Sequence, residues 1–458
     1  MATIAHPSLD LDALRARCAG AVVGPREDGY DQARQPWNVA YDQRPAAVAF
    51  PADAEDVAAI IAAARAAGAQ VAVQGTGHAA YQLRDLSNAV LIRTTAMTGV
   101  EIDPVARRAR VGAGVLWQDV TPAASEHGLS GIAGSAPDVG VVGYTLGGGI
   151  GYLSRKHGLA CNHVTAIELV TAAGDHLRCD PETEPELFWA LRGGSGRFGV
   201  ITALEFGLVA VPELYAGALF WPWERSAEVL RRWRELTAEA PDELTTMARI
   251  LQLPPIPEVP EPLRGRAWVN VQGAYLGPVE EGERLLAGLR ELGPEIDMFA
   301  PMPPAGLMRI HGDPEGPTPG FCETAMLDAL PDAALDALLA AGGPGSGSPL
   351  VALELRHLGG ALAEAAADCG SLGRLDGAYL MHTVGMPVTP ELGQAIVTAN
   401  ARVAAAVAPY GRGREYLNFA CRPVAADTVY TAEDLRRLEA ARAIADPDGL
   451  FVTGIAAD

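Results

Sequence analysis

The chain has 458 residues, 49% hydrophobic and 20% charged, which is enough for two or three domains around an ordinary globular core. Its 35 Lys and Arg are outweighed by 56 Asp and Glu, and a formal charge of -21 repels nucleic acid phosphates and anionic membranes, so neither is expected as a partner. No window offers the run of about 18 apolar residues that a membrane span needs.

The N-terminal stretch MATIAHPSLDLDALRARC lacks a basic head followed by an apolar run, so no signal peptide is expected. From about 45 to 210 short β-runs alternate with helices. DAEDVAAIIAAARAAG (53–68) opens on an acidic cap and stops at Gly68, which predicts a helix. The strand QVAVQ follows it and leads into the loop that carries His78. LIRT (91–94), VEID (100–103) and RARVG (108–112) read as strands, the last two joined by a turn at Asp103-Pro104. A helix is expected over 117–128, a hairpin over 166–179, a short helix over 185–194 and a strand over 198–206. Between about 211 and 400 come the strand AWVNVQGAYLG (267–277), helices near 279–292 and 331–341, and the strand LVALELRHLGG (350–360). The compact style returns in the last fifty residues, from YLNFA (416–420) to DPDGLF (446–451). The six cysteines (Cys18, Cys161, Cys179, Cys322, Cys369, Cys421) are scattered without CxxC spacing, which points to a reduced, cytoplasmic protein.

Two glycine-rich loops carry the chemistry: QGTGH (74–78) and GSAPDVGVVGYTLGGGIG (134–151). Such loops commonly cradle phosphate with backbone N–H groups. Neither fits the G-x-G-x-x-G fingerprint of a nicotinamide-binding βαβ unit. Ser195 lies in GGSGRFG, where Arg197 breaks the nucleophile elbow of a hydrolase. There is no H-E-x-x-H and no histidine pair at ligand spacing, so no metal site is expected.

QGTGH, the second loop with its continuation YLSRKHGL, ELFWALRGGSGRFGVITALEF, YLNFA and DPDGLF, in that order, resemble the berberine bridge enzyme-like group of FAD-linked oxidases, within the vanillyl-alcohol oxidase superfamily. The resemblance covers most of 35–210 and the C-terminal fifty residues; the middle matches less specifically. It implies an α+β protein with a two-lobed PCMH-type FAD-binding domain, 1–210 with a C-terminal return at 401–458, and an inserted substrate domain, 211–400, of antiparallel sheet flanked by helices. It also implies FAD bonded covalently to His78, with Gln74, Gly75, Thr76, Gly77 and Ala79 around it. Further cofactor contacts are implied for Gly134, Ser135, Ala136, Asp138, Val139, Gly140, Gly143, Tyr144, Gly199, Val200 and Asn418.

Three departures from the family pattern matter. Gln74, Thr76 and Ala79 stand where the family usually has Arg, Gly and Ser, which removes a positive charge near the phosphates. Bicovalent members have a cysteine at the position of Ala136, so a single link is expected here. Ile150 occupies a place where some members have tyrosine.

Alternation along LVALELRHLGG puts Glu354 and Arg356 on one face. The resemblance implies that this strand lines the active site with Glu354 as a candidate base, whose pKa Arg356 would lower, or Arg356 would bind an acidic substrate. YLNFA read as alternating points Tyr416 and Asn418 the same way, and in several members the matching tyrosine is the base. Tyr144 is a third catalytic candidate, with packing the stronger reading, while His311 and His357 are expected to be structural or surface residues. The resemblance implies oxidation of a small organic molecule, a secondary metabolite, by hydride transfer to flavin N5 with O2 as acceptor. A carbohydrate oxidase and a flavin-containing binding protein without turnover are the alternatives.

Overall fold

The computed structural model describes residues 9–83 and 85–456; the first eight residues of the N-terminal stretch lie outside them. A four-stranded sheet takes the order Ala21–Val23, Ala47–Phe50, Ala89–Arg93, Gln70–Gln74, its last three strands parallel. The connection between the second and fourth of these is the helix Ala54–Ala66, capped by the Asp53 side chain accepting from the Asp56 N–H. A five-stranded antiparallel sheet follows, in the order Val100–Asp103, Arg108–Gly112, Val200–Gly207, Val164–Val170, His176–Cys179.

The third sheet is large, antiparallel and eight-stranded. Its central run is Leu214–Pro222, Ala267–Tyr275, Leu244–Gln252, Ala352–His357, Tyr379–Gly385 and Phe321–Leu327. Helices Ser226–Glu239, Asp332–Gly342 and Pro390–Val407 cover one face, burying Trp233, Leu335 and Val403 with Leu353 and Leu355. Pro390–Val407 runs unbroken through residue 400 and packs on this sheet. The centre of the opposite face is polar, with Arg249, Asn270, Gln272, Glu354 and Arg356 set among Phe220, Met247, Leu251 and Trp268, and Arg356 there reaches Ser135 of the second glycine loop. Near the C-terminus, Leu450–Val452 lie beside Val71 of the first sheet, with Val71 N–H donating to Leu450 O at 2.9 Å and Val452 N–H to Val71 O at 2.9 Å. The fold is α+β.

Two expectations are corrected. YLNFA is not a strand: Phe419 and Ala420 N–H both return to Tyr416 O, at 3.1 and 2.9 Å, closing a tight turn. Five alternating residues are too few to separate a strand from a turn. The cysteines are not all reduced. Cys322 and Cys421 form a disulfide with Cα atoms 5.6 Å apart, while Cys18, Cys161, Cys179 and Cys369 are free. The bond joins the large sheet to the C-terminal segment, and it removes the argument that led from cysteine usage to a reduced compartment. No described helix is long and apolar enough to cross a membrane.

Candidate active site

The two glycine loops meet at His78. Its ring stacks on Trp37, centroids 4.1 Å apart and planes 18° off parallel. Nδ1 is 2.7 Å from Thr76 Oγ1, and Nε2 is 3.5 Å from Asp138 Oδ1 of the second loop. Asp138 also accepts from Trp37 Nε1 at 2.5 Å and from Gly316 N–H at 3.3 Å. Burial opposes ionisation of this carboxyl, but the neighbouring His78 ring and the Trp37 donor outweigh it and hold the group below its ordinary range. Gly77 takes φ +92, and a Cβ there would meet Gln74 Nε2 and the Pro36 backbone at 2.7–2.8 Å, so only glycine allows this turn.

Several groups here fit a flavin nucleotide. Gln74 Nε2 and Oε1 are buried without a hydrogen-bond partner among the described residues, and His78 Nε2 and Asp138 Oδ1 have only their 3.5 Å approach to each other. Gly143 is exposed with nothing within 4 Å of its Cβ position, and Gly75 has only Thr94 Oγ1 at 3.6 Å. Gly134, Ser135, Ala136, Val139 and Gly140 lie half-buried along the same loop, and Ala79 is exposed. Gly199 and Val200 stand apart from this group. A Cβ on Gly199 would meet Leu169 and Val170, and the Val200 side chain is in the core with Val71 and Phe451.

Beyond the second loop, Tyr416 and Asn418 come together although their segment is a turn. Tyr416 Oη accepts from Gly149 N–H at 2.7 Å and from Asn418 Nδ2 at 3.2 Å, and Asn418 Nδ2 also donates to Tyr144 O at 2.8 Å. Burial pushes the Tyr416 phenol up despite these two donors. Tyr144 donates its hydroxyl to Ile132 O at 2.9 Å and packs edge-on against Trp117, so its side chain holds the loop.

The polar face of the large sheet supplies a charged cluster. Glu354 is 3% exposed and accepts from Arg356 Nε; its other oxygen lies 2.7 Å from His311 Nε2 and 3.4 Å from Arg249 Nε. Burial opposes the ionisation of Glu354, but Arg356, His311 and Arg249 hold it well below the usual carboxylate range. His311 Nδ1 reaches Asp313 Oδ1 at 2.6 Å, and Asp313, against the same opposition from burial, is lowered to about 2 by His311 and Arg249. Arg356 Nη2 lies 3.4 Å from Ser135 Oγ, and its guanidinium sits 4.6 Å from the Phe419 ring centre, between sheet, loop and turn. Beside Arg249, Asn270 Oδ1 and both amide atoms of Gln272 are buried without a partner among the described residues.

Glu354 stands beside Arg356 as the strand alternation predicts, and His311, expected to be a structural or surface residue, is not on the surface: it is 9% exposed and bonded to Glu354. The only local signal was His-Gly-Asp (311–313) inside a Pro- and Gly-rich stretch. His357 has its own partner, Arg155 Nη1 at 3.0 Å. The buried Cys161 lies 3.6 Å from Leu372 O. Trp37 and Arg249 carried no recognisable motif.

A family model for an FAD binding domain matches residues 45–180. The chain is 33% identical over 276 residues to (R)-6-hydroxynicotine oxidase of Paenarthrobacter nicotinovorans, a match covering 60% of this chain and 58% of that protein. It therefore spans little more than half the length of that curated relative. The structure of 6-hydroxy-D-nicotine oxidase from Arthrobacter nicotinovorans superposes with a TM-score of 0.82 at 26% identity, covering 95% of this chain and 96% of that one. Berberine bridge enzyme from Eschscholzia californica shares the fold, with a TM-score of 0.82 at 19% identity over 98% and 99% of the two chains. By its glycine loops, its sheets and these likenesses, the chain carries an FAD binding domain over residues 45–180 and has the fold of 6-hydroxy-D-nicotine oxidase and berberine bridge enzyme.

Proposed function

We propose that the protein is an FAD-dependent oxidase whose FAD is attached covalently, through His78 alone, and that it oxidises a small organic molecule, a secondary metabolite, with O2 as acceptor. FAD, when bound, supplies the hydride acceptor at N5 and the route for electrons to oxygen. The observation that carries the reading is His78: a ring fixed by Trp37, Thr76 and Asp138 at the junction of two glycine loops. Such a ring is a held nucleophile. With Ala136 in the second loop and Cys161 fully buried against Leu372, a second, cysteinyl link is not part of the proposal.

Of the two candidate bases, Glu354 is the one held in its proton-accepting form, by Arg356, His311 and Arg249. Tyr416 is held as the neutral phenol by burial. Its role in this reading is to brace the glycine turn through Gly149. Glu354 takes the proton that leaves substrate oxygen or nitrogen, and His311 with Asp313 shares the charge. Arg249, Arg356 and Gln272 orient the substrate on the sheet face. The relative named for 6-hydroxynicotine supports a substrate of small organic type. A peroxide-release screen of the purified protein over metabolite panels tests the reading. Turnover with H2O2 supports it; tight stoichiometric binding without flavin bleaching would replace it with a binding protein.

A further inference from the structure

The Cys322–Cys421 bond connects two pieces of the molecule that matter for the site. Cys322 lies in the strand Phe321–Leu327 of the large sheet. Cys421 follows directly on the turn that holds Tyr416 and Asn418, and 99 residues separate the two cysteines in sequence. Both line an open cleft of about 550 Å³, walled by Tyr41, Asp42, Phe321, Glu323 and Asn400. Cys322 is half-buried and Cys421 is 9% exposed, so a small solute in the cleft reaches the bond from the Cys322 side, unlike the fully buried Cys161 and Cys179.

Its surroundings are also polar in one place. A ring nitrogen of His382 and both sulfurs lie within 4.8 Å of one another. His382 Nδ1 has no hydrogen-bond partner among the described residues, and its ring packs edge-on against Phe419 at 5.0 Å. Phe419 in turn carries the Arg356 guanidinium. A path of direct contacts thus runs from the disulfide through Phe419 and Asn418 to Arg356 and Tyr416.

We propose that Cys322–Cys421 is a thiol-exchange site for a small-molecule thiol, and that its opening releases the Tyr416–Asn418 turn from the large sheet. The attacking thiolate bonds to the more exposed sulfur, that of Cys322, and the Cys421 sulfur leaves as a thiolate that is protonated from solvent in the cleft. A second thiol attacks the mixed disulfide at the small molecule's sulfur and frees Cys322. The balance is one protein disulfide and two thiols giving one protein dithiol and one small-molecule disulfide. The His382 imidazole beside the sulfurs gives the leaving thiolate a polar neighbour. Disulfides that exchange under native conditions are characteristically exposed and act in regulation or catalysis rather than as buried staples.

The test uses the full-length protein as isolated, equilibrated in glutathione buffers of graded redox ratio. Cysteine alkylation is read by mass spectrometry, and amide hydrogen exchange is read over residues 414–422. The proposal predicts that Cys322 and Cys421 become alkylated together without unfolding. Exchange over 416–421 should rise roughly tenfold, as expected for local opening, and fall again when oxidised glutathione is restored. Cys322→Ser should show the fast exchange at every ratio. If its unpaired Cys421 impairs folding, the double variant Cys322→Ser/Cys421→Ser serves instead. A bond reduced only on global unfolding, reduction with unchanged exchange, or free thiols holding zinc in the protein as isolated would each overturn it. The readout is independent of bound flavin, so failure here is distinct from failure of the oxidase reading.

Discussion

Two carboxylates, two arginines and a histidine meet at the polar centre of one face of the large sheet, and their pairing decides what each can do. Glu354 is ionised because Arg356, His311 and Arg249 surround it, not because water reaches it. Glu354→Gln keeps the shape and removes the acceptor. Proton-acceptor removal of this kind typically costs about 100-fold or more in turnover, while the colour bound to the polypeptide should persist; steady-state peroxide release against flavin absorbance checks both. Asp313 offers a pH test. Its folded-state pKa of about 2 lies below the ordinary aspartate value, so its contribution to stability is complete above about pH 4 and disappears as pH falls through 2. That contribution is about 2 kcal/mol. Acid unfolding of Asp313→Asn should be correspondingly flatter between about pH 4 and 2 than that of the wild type.

Elements set these residues against each other through close backbone contact. The glycine turn at 147–149 passes so near the 416–420 turn that a Cβ on Gly147 would lie 1.9 Å from Asn418 Oδ1, and one on Gly148 3.0 Å from the Tyr416 ring. Gly147→Ala should displace Asn418 from Tyr144 O and destabilise the protein by about 1–3 kcal/mol, as overpacking does; denaturant unfolding measures it. This scale also marks how far the sequence could be read. The first two sheets were legible because local chemistry punctuates them: Asp53 caps a helix, Gly68 at φ +65 ends it, and a hairpin joins Val164–Val170 to His176–Cys179. Glu354 and Arg356 were legible through the two-residue period of their strand. His311 on Glu354, 43 residues away, was not, because no local pattern encodes which loop folds over a sheet. The Cys322–Cys421 pairing escaped for the same reason: scattered cysteines carry no record of their partners.

At the scale of the whole molecule, residues 450–452 return to the first sheet and close the framework on which the loops sit. Phe451 is 2% exposed and packs with Val71, Ile60 and Val200, while Leu450 and Val452 bond to Val71. Phe451→Ala should cost about 3–5 kcal/mol, the usual penalty for emptying a buried aromatic site, and thermal unfolding followed by flavin fluorescence should register it as a lower Tm. The large sheet brings its own core and helices, so its polar face is held rigidly opposite the loops. The proposed flavin attachment depends on His78 at that junction. The most direct test is to denature the purified wild-type protein and His78→Ala and ask whether yellow colour stays with the polypeptide. Colour retained by the wild type and released by the variant is the predicted result. Flavin freed from the denatured wild type, or still attached to His78→Ala, would contradict it.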